Sequence, residues 1–99
     1  MKYQLRSTAQ YDKWFSKLKD VKIKINILAR LNRIENGNFG DYKRINPNLF
    51  ELRFHVGAGL RIYYAIQNSA VVLLLAGGNK SSQKKDIEKA AELLRELED

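Results

Sequence analysis

The sequence of 99 residues contains no cysteine, one histidine, one proline and no long apolar segment. Without cysteine there are no disulfides or thiolate metal sites, and a lone histidine cannot form a zinc site without several carboxylates. No apolar run approaches the roughly 18 residues of a membrane span, and the N-terminus lacks the apolar core of a signal peptide. We therefore expect a cytoplasmic protein with no metal, no cofactor and no membrane partner.

The balance of charge is basic, with 18 Lys and Arg against 11 Asp and Glu, a net charge of +7 and a pI near 9.8. Such a balance favours a polyanionic partner, with nucleic acid first and an acidic protein second. The alternative is that the charge serves only solubility. The length suits one domain over residues 1–99 with one core.

Hydrophobic periodicity predicts two helices, then a sheet, then a last helix. Asp20 is a suitable cap for the second helix, and Gly37 is a suitable stop. The predicted elements are strands over 2–6, 42–45, 49–56, 60–66 and 70–77, with helices that follow Ser7 or Thr8, cover 21–36, and follow Ser81 or Ser82. The fold class is α+β, with two N-terminal helices packed on a small, mostly antiparallel sheet and a C-terminal helix.

The central hairpin has two alternating strands, and a three-residue Gly-Ala-Gly loop over 57–59 brings their apolar faces into register. That register pairs Val56 with Leu60, Phe54 with Ile62, Leu52 with Tyr64 and Phe50 with Ile66. On the reverse face it places His55 opposite Arg61 and Arg53 opposite Tyr63, so that the two arginines are diagonal neighbours. Like charges so placed repel, and either solvent screens them or an anion lies between them.

The segment VVLLLAGG shows no alternation, which predicts an inner strand covered on both faces. Asn79, Lys80 and Gln83 follow it, where the last helix begins. Helix N-termini with an adjacent lysine attract phosphate. The segment AGGNKS lacks the glycine spacing of a nucleotide-binding loop and is not read as one.

Cationic and proton-transferring side chains from four extended segments can therefore meet on one sheet. Cleavage of RNA without metal needs a base for the 2′-hydroxyl, cations for the phosphorane and an acid for the leaving 5′-oxygen. Lys, Arg, His and Tyr can fill these roles. The predicted cluster consists of Lys43, Arg44, Arg53, His55, Arg61, Tyr63 and Lys80.

The blocks GNFGDYKRI, LFELRFHVGAGLRIYYAI and LLLAGGNKSSQKKDIEKA together resemble the phage Gp49-like, HigB-type branch of the RelE/ParE toxin superfamily. The resemblance implies a RelE-like fold and the toxin of a type II toxin-antitoxin module, an endoribonuclease that cuts mRNA within the ribosome. It implies phosphate-facing catalytic roles for Arg53, Arg61 and Lys80, with Lys43 as an auxiliary cation. Arg44 and Gln83 are the further RNA-binding candidates.

The C-terminal helix departs from that pattern, because ribosome-dependent relatives often carry a tyrosine or histidine there. His55 and Tyr63 are therefore the candidates for proton transfer, while the register buries Tyr64. The alternative is that His55 is a surface residue and Tyr63 a packing residue. The side chain of Arg61 is predicted to point away from the core, so that Arg61→Ala should leave the fold intact.

The resemblance also implies a cognate antitoxin, a small helix-turn-helix DNA-binding protein encoded beside the toxin. The last helix either packs internally or offers this antitoxin a groove. Two other functions remain open at this stage, a ParE-like inhibitor of gyrase and a non-catalytic RNA-binding regulatory module.

Overall fold

The chain folds into one sheet with helices on both faces. A computed structural model describes residues 2–98; residues 1 and 99, the ends of the predicted domain, lie outside the described part. The elements are β1 (Gln4–Ser7), α1 (Ala9–Lys17), α2 (Val21–Glu35), β2 (Tyr42–Asn46), β3 (Leu49–Arg53), β4 (Arg61–Gln67), β5 (Val71–Gly78), a 3₁₀-helix (Lys80–Ser82) and α3 (Gln83–Glu98). The strand order is β1-β5-β4-β3-β2, with β1 parallel to β5 and the other three pairings antiparallel. The α+β fold class is confirmed.

The first two helices begin at side-chain caps, as the sequence predicts. The Thr8 hydroxyl accepts a hydrogen bond from the amide of Tyr11, which makes Thr8 the N-cap of α1. Asp20 accepts from two amides of the first turn of α2. Such caps satisfy amides that the first turn of a helix leaves without partners. Gly37 takes a φ of +90° just beyond α2, where other residues would be strained.

The start of the last helix differs from the prediction. Asn79, and not Ser81 or Ser82, is the cap: its side chain accepts from the Ser82 amide at 3.2 Å, and its own amide donates to the Ser82 hydroxyl at 3.3 Å. A cap residue needs an extended backbone, and Asn79 has one, with φ −121° and ψ −177°. The serines instead lie inside the short 3₁₀-helix that leads into α3.

The helices divide the core into two layers, one on each face of the sheet. Residues of α1 and α2 pack on one face with Leu52, Ile62 and Tyr64. On the other face Ala90 and Leu94 of α3 pack against β4 and β5. Because these two side chains are buried, the last helix packs internally over most of its apolar face. Burial of one leucine in this way contributes about 1.5–3 kcal/mol to stability.

The inner position of β5 explains its uninterrupted apolar run. The strand lies between β1 and β4 and is covered on both faces, as predicted. The glycines that end it allow close packing: a Cβ added at Gly77 would lie 2.4 Å from Cε3 of Trp14, a residue of α1. Gly78 is equally confined, because an added Cβ there would meet the carboxylate of Asp86.

The register of the β3–β4 hairpin differs by two residues from the predicted one. Phe50 lies opposite Tyr64, and Arg53 lies directly opposite Arg61. An even shift keeps each side chain on its predicted face, so the apolar pattern is satisfied in both registers. The loop is longer than predicted, because its closing bond joins the Phe54 amide to the Leu60 carbonyl at 3.0 Å. Its tip is also held by a hydrogen bond from the Lys80 amide to the Ala58 carbonyl at 3.2 Å.

Candidate functional site

The cross-strand pairs bring most of the predicted residues to one face of the sheet, the face that α3 partly covers. Lys43 lies opposite Glu51, and Glu51 lies opposite Tyr63. In the next row Arg53 lies opposite Arg61. Residues directly opposite each other in a sheet point to the same side. These rows therefore form a polar surface beside the N-terminal end of α3.

Glu51 is the centre of this surface, although the sequence analysis did not select it. It is 1% exposed, and its Oε1 lies 3.1 Å from Nε of Arg61. That contact is an ion pair without a well-directed hydrogen bond. Gln83, the first residue of α3, donates to the same oxygen at 2.9 Å. A buried carboxylate requires such partners, so Glu51 links β4 to the start of α3.

Arg61 is held from two sides. Its guanidinium contacts Glu51, and its NH1 also donates to the Gly59 carbonyl at 2.9 Å. The side chain is only 14% exposed. Arg61 is therefore not the outward-pointing, solvent-facing residue that was predicted, and the expectation that its loss spares the fold loses this premise. The constraint has a chemical benefit, since a cation fixed in place needs no reorganisation when an anion binds.

Tyr63 is buried and does not lie on the outer surface. Its exposure is 0%, and its hydroxyl has no hydrogen-bond partner among the described residues. Burial raises the pKa of Tyr63 above its ordinary value of 10.0, and the carboxylate of Glu51 acts in the same direction. The structure thus favours the alternative interpretation of Tyr63 as a packing residue. Tyr64 is buried too, as predicted.

Asp41 joins Arg53 to His55 at the outer edge of the surface. Its Oδ1 lies 3.2 Å from NH2 of Arg53, and its Oδ2 lies 2.9 Å from Nε2 of His55. The hydrogen bond to His55 and the charge of Arg53 lower the pKa of Asp41. The imidazole is 85% exposed. His55 is therefore both oriented by a carboxylate and accessible from solvent, but it does not lie opposite Arg61 as predicted.

Arg30 of α2 fixes the backbone beneath this group. It is 8% exposed, and its guanidinium donates to the carbonyls of Phe39, Arg53 and Asp41 at 2.9, 2.8 and 2.6 Å. It also stacks over the ring of Phe54 at 4.8 Å. Burial lowers the pKa of Arg30. A helix residue far from the sheet in sequence thus sets the position of Asp41 and Arg53.

Lys80 lies where the β3–β4 loop meets the end of β5. It is exposed, and a Cβ added at Gly59 would lie 3.0 Å from Cβ of Lys80 and 3.2 Å from NH1 of Arg61. The side chain of Lys80 therefore starts close to the fixed guanidinium of Arg61. We name the set Lys43, Arg53, Arg61 and Lys80 the cationic face.

Arg44 does not belong to the cationic face. It lies opposite Phe50, on the other side of the sheet, with its guanidinium 5.6 Å from the centroid of that ring. It donates to the carbonyl of Pro47 at 2.9 Å. Neighbouring residues of a strand point to opposite faces, so Lys43 and Arg44 cannot both join the cluster as predicted. The proposed RNA contact of Arg44 stays a prediction.

Glu51, Asp41 and Arg30 are the residues that sequence reasoning missed. A signal for Glu51 was present, because it occupies the same face of its strand as Arg53 in the segment ELR. A carboxylate between predicted cations is a candidate ion-pair partner. Asp41 and Arg30 gave no comparable signal, since their contacts depend on tertiary structure. No group of three His, Asp or Glu within 2–98 is placed to hold a metal ion.

None of the helices within residues 2–98 combines the length and the apolar composition that crossing a membrane requires.

Comparison with known proteins identifies the sequence family and the fold. A sequence model of the phage-derived protein Gp49-like family matches residues 13–95. A relative from Haemophilus influenzae, described as an uncharacterized protein, is 47% identical over 97 residues, which is 98% of each chain.

Solved structures of toxins share the fold at low sequence identity. A doubly substituted variant of the E. coli toxin RelE in the free state has a TM-score of 0.75 at 17% identity, covering 93% of this chain and 97% of that one. The toxin-antitoxin complex RelBE2 of Mycobacterium tuberculosis contains a chain with a TM-score of 0.65 at 18% identity, covering 81% and 100%. The intact E. coli RelBE complex gives 0.63 at 18% identity, covering 78% and 95%.

Proposed function

The chain belongs to the phage-derived Gp49-like family, and we propose that it is the toxin of a type II toxin-antitoxin module, a metal-independent, ribosome-dependent mRNA endonuclease of the HigB type. The RelE fold supports this proposal. The observation that carries it is the cationic face, in which Arg61 is fixed by a buried carboxylate beside the exposed Lys80. The whole of residues 1–99 acts as one toxin domain in this proposal.

In the proposed reaction the 2′-oxygen gives up its proton and attacks the adjacent phosphorus, the bond from phosphorus to the 5′-oxygen breaks, and the leaving 5′-oxygen takes up a proton, which leaves a 2′,3′-cyclic phosphate. The phosphate gains negative charge in the transition state, and fixed cations stabilise that charge better than mobile ones. Arg61 and Arg53 lie opposite each other on adjacent strands, so one phosphate between them would contact both. Lys43 and Lys80 would bind the flanking phosphates, and Gln83 would contribute mainly by holding Glu51.

His55 is the proposed proton-transfer residue. Its imidazole is exposed, and Asp41 holds one ring nitrogen at hydrogen-bond distance, which leaves the other nitrogen free to face substrate. A carboxylate in this position orients the ring. Tyr63 is not included in the mechanism, because its buried hydroxyl does not reach solvent.

The partner in this proposal is an antitoxin, as in the RelBE complexes to which the fold is similar. A chain of net charge +7 should associate rapidly with an acidic antitoxin, and more slowly as salt rises. Stopped-flow association rates over a range of salt concentrations measure this effect. A rate independent of salt would exclude electrostatic capture.

Mapping of 5′ ends on a translated reporter mRNA after brief induction tests the function. The most informative variant is Lys80→Ala, since Lys80 is exposed and its loss should not affect folding. Lys84→Ala is the matched control, because Lys84 is an exposed lysine one turn further along the chain. The wild type and the control should give cuts that become much weaker in Lys80→Ala and disappear when translation is blocked.

Each other outcome selects a different function. Growth arrest with a DNA-damage response and no mRNA cuts would indicate a ParE-like inhibitor of gyrase. Cuts that persist without translation would mean a free ribonuclease. Binding of RNA that weakens with salt, without cuts or growth arrest, would indicate a non-catalytic RNA-binding module.

A further inference from the structure

The outer side of α2 carries a stripe of aliphatic residues. Val21, Ile25 and Leu28 are 66%, 60% and 55% exposed. They recur at intervals of four and three residues, which places them on one side of a helix. Of the five large hydrophobic residues that are exposed within residues 2–98, three belong to this stripe. Scattered exposed hydrophobic residues are ordinary, whereas a contiguous set marks an interaction surface.

An apolar groove continues the stripe towards β1. The groove has a volume of about 220 Å³, and its walls include Leu5, Phe15, Leu28 and Leu74. Leu28 belongs to both features, so that the stripe and the groove form one surface. We call this surface the α2 groove. It lies on the face of the sheet opposite to α3, and therefore away from the cationic face.

Basic side chains border the α2 groove. Arg6 lines it, and the ammonium of Lys24 lies 5.3 Å from the ring centroid of Phe15, which also lines it. Residues 1–36, which form β1, α1 and α2, contain nine Lys and Arg and three Asp and Glu. Their net charge of +6 is most of the chain's +7. Most of the net positive charge therefore lies in the segment of the chain that forms the groove.

We propose that the α2 groove binds an acidic amphipathic helix of a partner protein. Aliphatic residues at helical spacing beside an apolar groove match the apolar face of such a helix. The basic border matches acidic residues on its flanks. A second copy of this chain would bring a second surface of the same sign, which opposes pairing. RNA would use the basic residues but would leave the aliphatic stripe in water.

The proposal extends the proposed function, since in a toxin the helix would belong to the antitoxin. An antitoxin helix in the α2 groove would not itself cover the cationic face. The test below uses neither RNA nor ribosomes, so its outcome and that of the cleavage assay are independent.

The probe is a synthetic helical peptide with leucines on one face and glutamates on the other. A matched peptide carries lysines in place of the glutamates. Binding to the full chain is measured by isothermal titration, and the contacted residues are identified from backbone amide shifts. The glutamate peptide should bind at least about tenfold more tightly than the lysine peptide, and the shifts should fall on α1, α2 and β1.

Two leucines of equal exposure provide a matched pair of variants. Leu28 is 55% exposed in the α2 groove, and Leu97 is 54% exposed on α3. Leu28→Gln should weaken binding of the glutamate peptide by about tenfold or more, because one buried aliphatic contact is lost. Leu97→Gln should change it by less than about twofold. Glutamine avoids adding charge and keeps both variants soluble.

Any of four results would overturn the proposal. These are equal affinity for the two peptides, no binding of the glutamate peptide, an equal effect of the two variants, and amide shifts confined to the cationic face. Self-association that requires Leu28 would identify a second copy as the occupant instead. Amide shifts on α2 caused by a single-stranded RNA but not by the glutamate peptide would identify RNA.

Discussion

Removal of Arg61 should destabilise the fold as well as the proposed chemistry. Glu51 is 1% exposed in the fold, and in Arg61→Ala its carboxylate loses the cation that balances it and keeps the neutral amide of Gln83 as a hydrogen-bond donor. Removing one partner of a buried ion pair costs about 3–5 kcal/mol, a large part of the roughly 5–15 kcal/mol that stabilises a domain. For a chain of this size the loss corresponds to a fall in Tm of about 12–40 °C.

The cause of the loss can be isolated with a second substitution. Glu51→Gln replaces the charge with a neutral group of nearly the same shape, so the double variant Glu51→Gln with Arg61→Ala should be more stable than Arg61→Ala alone. Arg33→Ala is the matched control, because Arg33 is an exposed arginine of α2, and it should change stability by less than about 0.5 kcal/mol.

Urea unfolding, followed by the fluorescence of the one tryptophan, Trp14, measures these differences. The reasoning fails if Arg61→Ala loses less than about 1 kcal/mol of the free energy of unfolding. It also fails if the double variant is less stable than both Arg61→Ala and the control. In either case the carboxylate of Glu51 does not depend on Arg61, and loss of toxicity in Arg61→Ala would report on chemistry alone.

Three further predictions concern the supporting structure. Arg30→Lys should lose at least about 2 kcal/mol, since one ammonium cannot replace a planar group that donates to three carbonyls, and hydrogen exchange should quicken in residues 39–41. The pKa of Asp41 is lowered from its ordinary value of 3.8, first by the hydrogen bond to His55. The ionised Asp41 should therefore stabilise the fold fully above pH 3.8, and this contribution should be lost as the pH falls through the lower pKa of the folded state. A carboxyl NMR titration with a midpoint at or above 3.8 would contradict this. Gly77→Ala should cost about 1–3 kcal/mol because its Cβ would meet Trp14, and unchanged urea unfolding would show that α1 moves to accommodate it.

Much of the architecture was predictable because local signals agreed with one another. The caps at Thr8 and Asp20, the stop at Gly37 and the uninterrupted apolar run of β5 each act through neighbours in sequence. Alternation also placed Arg53 and Arg61 on a common face. Local chemistry of this kind is visible without knowledge of the fold.

Several of the errors and omissions involve contacts between distant parts of the chain. The loop between β3 and β4 is joined to the end of β5 by a backbone bond from Lys80 to Ala58, a contact that the hairpin's own pattern does not reveal. Tyr63 is buried because α3 covers its face of the sheet, and the sequence interpretation had left that face open to solvent. The role of Arg30 likewise exists only once α2 lies above the sheet.

The ion pair of Glu51 and Arg61 has a consequence for the uniqueness of the fold. Two registers of the β3–β4 hairpin, two residues apart, bury the same apolar side chains, so the hydrophobic pattern does not choose between them. Only the observed register places Glu51 opposite Tyr63, where Arg61 can contact it. The register shifted by two residues would place Glu51 opposite Ala65. We infer that this buried charge selects one pairing, a role attested for buried polar groups in other folds. A variant with leucine at both positions should then retain a compact core but show two sets of amide signals, one for each strand alignment.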